Sequence, residues 1–215
     1  GIYEHGGGLC FVGSSRAVGK EGNTIGDIVQ LDRYKSIESG ILDRHPLTEE
    51  KLREIGEMLL SYNEGAKTVS ILAWACGCFL KEHLRLRGVK FPHLFLIGEA
   101  GSGKSTTLER VLLPIFSENR ILAATQVTAF TLMKESASSN IVPLPLDEFK
   151  PSKMDRMKIA TLYNHFRDSY DGHEGVRGRA DLSVVTYDLS APLIVCGEES
   201  AEETAIRERS VELLF

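Results

Sequence analysis

Cysteine is scarce in this chain, tryptophan occurs once, and no apolar run is long. The four cysteines, Cys10, Cys76, Cys78 and Cys196, lie at spacings that match neither a zinc ligand set nor a secreted disulfide framework. A reducing cytoplasm, of a bacterial or phage-infected cell, is the expected location. Cys76 and Cys78 read as small apolar residues buried in a helix. The longest apolar run, VSILAWACGCFL from Val69 to Leu80, is too short to span a bilayer and runs into KEH. It reads as a buried helix, and no stretch has the make-up of a signal peptide. Positive charge is not in excess either, since 25 Lys and Arg stand against 30 Asp and Glu for a net charge of −5. That balance excludes a global pull toward nucleic acid or anionic membrane, so any DNA contact has to be a local patch.

What is present is ordinary globular material. The 215 residues are 42% hydrophobic and 26% charged, enough for one core and a small second module. The chain starts at Gly1 without a methionine and stops in the strand-like SVELLF, as a fragment of a longer protein would. Three regions follow from the pattern. Residues 1–44 are a β-rich segment, with glycines separating short apolar runs such as LCFVG and DIVQL that suit hairpins. Residues 45–90 are a helical pair. Thr48 can cap the first helix, Glu49 and Glu50 suit its first turn, Leu52, Ile55, Met58 and Leu59 recur at helical spacing, and Gly65 can end it. The second helix covers about 66–87. Residues 91–215 alternate strands (about 93–97, 121–124, 141–146, 192–196 and from Val211) with helices (about 104–113, 127–138, 153–170 and 200–208). That rhythm predicts a three-layer α/β fold with a parallel central sheet.

The stretch HLFLIGEAGSGKSTTLERVL, from His93 to Leu112, is the most informative in the chain. Gly98, Glu99, Ala100, Gly101, Ser102, Gly103, Lys104 and Ser105 fit the phosphate-binding pattern G-x-x-x-x-G-K-[ST], with Thr106 next. Glycines let successive backbone N–H groups turn inward on one anion, and the helix that follows adds its positive end. In this chemistry Lys104 reaches the β- and γ-phosphates of ATP and Ser105 holds Mg²⁺. A strand before and a helix after are the context the motif requires, and both are expected here.

The complementary acid lies in IVPLPLDEF, Ile141 to Phe149. Asp147 is placed to hold Mg²⁺, and Glu148 to polarise the attacking water as general base. Kinases usually lack that second acid. Pro143 and Pro145 remove two donors from the same side of this strand, so its start is expected to be irregular or one neighbour short. Further on, residues 150–180 hold seven Lys and Arg against four Asp and Glu, in a chain that is acidic overall. The glycine-punctuated YDGHEGVRGRADLSVVTYDLSAP reads as a hairpin that carries His173, Arg177 and Arg179.

Taken together, FPHLFLIGEAGSGKSTTLE, LDEFKPS and the stretch from the hairpin through ESAEETAIRERSVELLF resemble the helicase-type ATPase domain of primase-helicases from phages and mobile elements. These are similar to the AAA+ and superfamily III groups, and the resemblance covers about residues 90–215. It implies a P-loop NTPase of the additional-strand (ASCE) type, in which hydrolysis at the interfaces of a ring, a hexamer, moves single-stranded DNA gripped by His173, Arg177 and Arg179 of the hairpin. It implies that Arg207 or Arg209, with Arg209 preferred, is an arginine finger reaching a neighbouring subunit. It also implies a primase domain in the same longer chain and no membrane partner. PLIVCGEES occupies the sensor position, where Glu198 replaces the usual Asn, Thr or Ser. Two other readings use the same loop: a small-molecule or polynucleotide kinase, and a slowly hydrolysing signalling switch that assembles on ATP binding.

Overall fold

A computed structural model describes residues 1–13, 16–28, 46–178 and 181–215. The chain begins with four short antiparallel strands in the order β1 (Ile2–His5), β2 (Gly8–Val12), β3 (Ala17–Val18) and β4 (Thr24–Ile25). Asn140, far along the chain, ties this sheet down. Its Oδ1 accepts from the Ile2 N–H at 2.8 Å and its Nδ2 donates to the Ile2 carbonyl. Ile2 and Phe11 pack against the core of the following region. Much of DIVQL and the boundary near residue 45 lie outside the described residues.

The helical pair is α1 (Glu49–Ser61) and α2 (Gly65–Arg85). Thr48 caps α1 as expected, its hydroxyl accepting from the Lys51 N–H at 3.3 Å. Gly65 does not end α1 but begins α2. The Ser61 hydroxyl donates to the Met58 carbonyl at 3.1 Å and the Asn63 side chain accepts from the Glu64 N–H at 2.7 Å, so the turn closes without a left-handed residue. The apolar stripe of α1 is real but uncovered, and no residue of that helix is buried. The run from Val69 to Leu80 is likewise one-sided rather than wholly buried. Ile71, Trp74, Ala75 and Cys78 face inward at helical spacing, while Val69, Leu80 and Cys76 are exposed. The expectation for Cys76 was wrong because it lies two residues from Cys78, on the opposite side of the helix. Among the described residues no helix is long and apolar enough to cross a membrane.

The main sheet is parallel and five-stranded. In chain order its strands are β5 (His93–Ile97), β6 (Leu122–Ala123), β7 (Leu144–Phe149), β10 (Leu193–Gly197) and β11 (Ser210–Leu214), and in space they run β11-β5-β10-β7-β6. The expected α/β fold with a parallel sheet, flanking helices, a helix pair and an antiparallel β segment is therefore what the chain adopts. Strand alternation builds the two outer layers. Phe95, Ile97, Leu193 and Val195 face a core shared with α5 (Ala129–Ser136), α6 (Arg156–Asp171) and α7 (Thr204–Arg207). Leu94, Leu96, Ile194 and Cys196 face a second core shared with α2 and with the helical run after β5. That run comprises α3 (Lys104–Thr107), a π-helical turn (Leu108–Leu112) and α4 (Leu113–Ile115).

The proline problem resolves through register. Leu144 donates its N–H to the Pro192 carbonyl on the β10 side at 2.8 Å, so Pro145 points its missing donor toward β6. β6 is two residues long and pairs only with Leu146 and Asp147, so no bond is forgone there. The strand accordingly starts at Leu144 rather than Ile141. The helix expected over 153–170 begins later, at Arg156, because Asp155 caps it by accepting from the Lys158 N–H at 2.9 Å. The helix expected over 200–208 is a single turn, Thr204–Arg207.

Two buried histidines hold the layers together in their neutral form. His93 donates from Nε2 to the Phe166 carbonyl at 2.8 Å, and His165 Nε2 lies 2.8 Å from the Ser136 hydroxyl. Burial, opposed in part by the Phe166 bond, pushes His93 from the usual 6.5 down to about 3, and burial pushes His165 down to about 4. Below pH 6.5 the unfolded chain binds protons that the folded chain refuses, so stability falls as the pH drops through that range. The expected loss at pH 5 is roughly 2 kcal/mol per histidine. Urea midpoints between pH 7.5 and 5 check it: His165→Gln should shallow the slope, and an unchanged slope would refute the assignment.

Candidate functional site

The loop between β5 and α3 is shaped by its glycines. Gly101 and Gly103 have φ of 81° and 96°, backbone that side chains other than glycine rarely tolerate. The Lys104 side chain folds back into the loop, where its ammonium donates to the carbonyls of Gly98 (2.8 Å) and Glu99 (2.7 Å) and to the Ser102 hydroxyl (3.1 Å). Lys104 is almost fully buried there. Those three oxygens surround the ammonium much as anionic oxygens of a ligand do.

Asp147 and Glu148 reach the same place from β7. β10 lies between β5 and β7, so the loop and the acids sit on strands that are not neighbours. The Ser105 hydroxyl nevertheless donates to Asp147 Oδ2 at 2.9 Å, across 42 positions of sequence. The acids are aimed by a bulge. Val195 pairs with Leu146 and Gly197 with Phe149, so Asp147 and Glu148 stand opposite Cys196 alone. Glu148 takes φ of 60°, unusual for a side chain of its size and worth about 1–2 kcal/mol of strain. Its N–H donates to Asp147 Oδ1 at 2.7 Å, which fixes the aspartate between that amide and Ser105.

A cleft of about 510 Å³ opens at this edge, lined by Ala100, Gly101, Lys104, Ser105, Thr125, Asp147, Glu148, Lys150, Lys153 and Glu198, among others. Of the loop residues singled out by sequence, Ala100, Gly101, Lys104 and Ser105 line it directly. Gly98, Glu99, Ser102 and Gly103 shape the loop, and Thr106 is exposed at the start of the helix. Glu198 pairs with Lys150, which holds its carboxyl below the usual range. Thr125 and Lys150 were not anticipated. The Thr125 hydroxyl lies 3.4 Å from Glu148 Oε2. Its position just after the very short β6 gives no periodic signal in the sequence.

The remaining expected residues lie elsewhere. Arg209 precedes β11, whose Ser210 pairs with His93 at the start of β5, whereas the loop follows Ile97 at its end. A strand of that length puts them about 13 Å apart along the sheet. Arg209 is engaged: it donates to the Ala205 carbonyl at 2.8 Å, approaches Asp171 at 3.5 Å and lies 5.4 Å from the Tyr170 ring. Arg207 is exposed. The expected hairpin is present as β8 (Glu174–Gly178) and β9 (Val184–Asp188). Arg177 lies 3.9 Å from the Phe130 ring, and His173 sits 3.2 Å from Asp168. Arg179 lies outside the described residues, and the described tip residues are Asp181 and the 93% exposed Leu182.

No protein-family model matches the chain, and no curated protein matches it. The assignment of a function therefore rests on the geometry.

The bulge depends on Gly197. A Cβ there would lie 2.1 Å from the Phe149 carbonyl oxygen, a backbone atom that cannot swing away. Gly197→Ala should cost about 1–3 kcal/mol. Thermal or urea unfolding checks it, and a stability equal to the parent would show that the strands separate more easily than this contact implies.

Proposed function

We propose that this chain is an ATP-hydrolysing P-loop domain, a helicase or translocase module of the primase-helicase type. The observation that carries the reading is the 2.9 Å hydrogen bond between Ser105 and Asp147. It joins the hydroxyl of the glycine-rich loop to the acid of a strand two places away, and it gathers hard oxygen donors suited to Mg²⁺ beside a lysine. Ser105 and Asp147 would hold the magnesium, which would supply charge neutralisation at the phosphates.

The chain's own residues supply the rest. Backbone N–H groups of the loop receive the phosphates, and Lys104 exchanges the carbonyls of Gly98 and Glu99 for phosphate oxygens. Glu148, turned outward by the bulge, takes a proton from water as the water oxygen attacks the γ-phosphorus and ADP leaves. Arg209 lies too far along the sheet to serve the cleft of its own subunit, and Arg207 is exposed. A finger role for Arg209 therefore requires a neighbouring subunit, as in a ring. The hairpin runs along α5, with Gly175 close to Met133 and Arg177 over Phe130, and the Arg177 guanidinium on that ring offers a cationic and aromatic surface to single-stranded DNA.

Lys104→Ala should weaken ATP binding at least tenfold, while Glu148→Gln should keep binding and lower turnover about 100-fold. Nucleotide titration and phosphate release, with and without single-stranded DNA, measure both. Turnover indifferent to Lys104 would remove the ATPase reading, and turnover indifferent to DNA would leave a P-loop ATPase of another class. Phosphate passing to an added acceptor instead of water would favour a kinase.

A further inference from the structure

The two acids after β10 are engaged in different ways. Glu199 accepts from the Ser152 N–H at 2.9 Å and from the Ser152 hydroxyl at 2.5 Å, a bidentate clamp onto one residue through its backbone and its side chain. It fixes the chain after β7 against the chain after β10, with Pro151 buried between Lys150 and Ser152. Glu198 makes no such clamp. It holds only the ammonium of Lys150, side chain to side chain, across the mouth of the cleft. The Glu198 side chain is 43% exposed and that of Lys150 26%, so the pair is partly screened and inexpensive to open. The backbone on both sides is held while the ion pair is exchangeable.

Lys150 is also close to Glu148 along the chain. It follows Glu148 by two residues on the same strand end, and both line the cleft with Lys104. If Glu148 faces the attacked phosphorus, Lys150 faces the terminal phosphate rather than the inner ones. A γ-phosphate, with more charge than one carboxylate, is a stronger partner for an ammonium than Glu198 is.

We propose that Lys150 is a second cation of this site, which Glu198 holds until a terminal phosphate displaces it, and which makes the cleft prefer nucleoside triphosphate over diphosphate. This rests on the nucleotide reading above. Lys104 grips either nucleotide, and Lys150 distinguishes them. Glu198 thereby acts as a competitor for Lys150.

The test is equilibrium binding of a non-hydrolysable ATP analogue and of ADP to the whole chain, for the parent, Lys150→Met, Lys150→Arg and Glu198→Gln. Lys150→Met should weaken the analogue about tenfold and ADP less than twofold, the loss expected for one charge-assisted hydrogen bond. Lys150→Arg should retain most of the preference. Glu198→Gln should tighten the analogue severalfold, and the Lys150→Met, Glu198→Gln double variant should show no such gain over Lys150→Met. Equal weakening of both ligands, an unchanged ratio, or no gain in Glu198→Gln would overturn the proposal while leaving nucleotide binding intact. A parent chain that binds neither nucleotide would overturn the nucleotide reading and this inference together.

Discussion

A carboxylate that accepts from a hydroxyl on one strand's loop and from an amide on its own strand is locked in direction. Asp147 is in that state: Ser105 donates to one of its oxygens and the Glu148 N–H to the other. The lock requires the β5 loop and the β7 end to meet above an intervening strand, and β10 permits this because it ends in Gly197. With no side chain at that residue the Phe149 carbonyl can approach, the bulge forms, and Glu148 turns outward in a strained backbone. Gly197 admits the bulge, the bulge sets Glu148, and Asp147 ties the strand end to Ser105.

The rest of the sheet serves that unit. Strand residues alternate between two cores, so the β5–β10–β7 centre is buried on both faces and cannot shift register without exposing one apolar set. His93 and His165 lie within the packing as neutral hydrogen-bonding groups and carry no charge into it. The end of the sheet where β5 and β11 begin has a different character. Lys90 and Arg209 converge on Asp171, beside Tyr170, where α6 hands over to the hairpin. The hairpin root and the start of β11 are thereby joined through one carboxylate.

Much of this could be read without coordinates where it follows from local pattern. The strand–glycine loop–helix order, the Thr48 cap, the hairpin after α6 and the final strand are all short-range consequences of periodicity and turn chemistry. The misreadings were local patterns with a tertiary answer. Gly65 has the chemistry of a helix end, but Ser61 and Asn63 had already closed the turn. Cys76 lies in an apolar run, but one side of α2 faces water. Pro143 and Pro145, by contrast, were read correctly: the strand starts late, at Leu144, and the neighbour on their side, β6, is two residues long.

By itself the sequence determined the fold class and pointed to Lys104, Ser105, Asp147 and Glu148, because hydrophobic period and glycine placement act over a few residues. Only the tertiary structure decided that Ser105 touches Asp147, that the two acids share a bulge, that Lys150 is tied to Glu198 and that Arg209 is engaged by Asp171. Each of those contacts joins residues tens of positions apart, and their distances are set by strand order and register. Those quantities emerge from packing the whole sheet and are written in no single stretch of the chain.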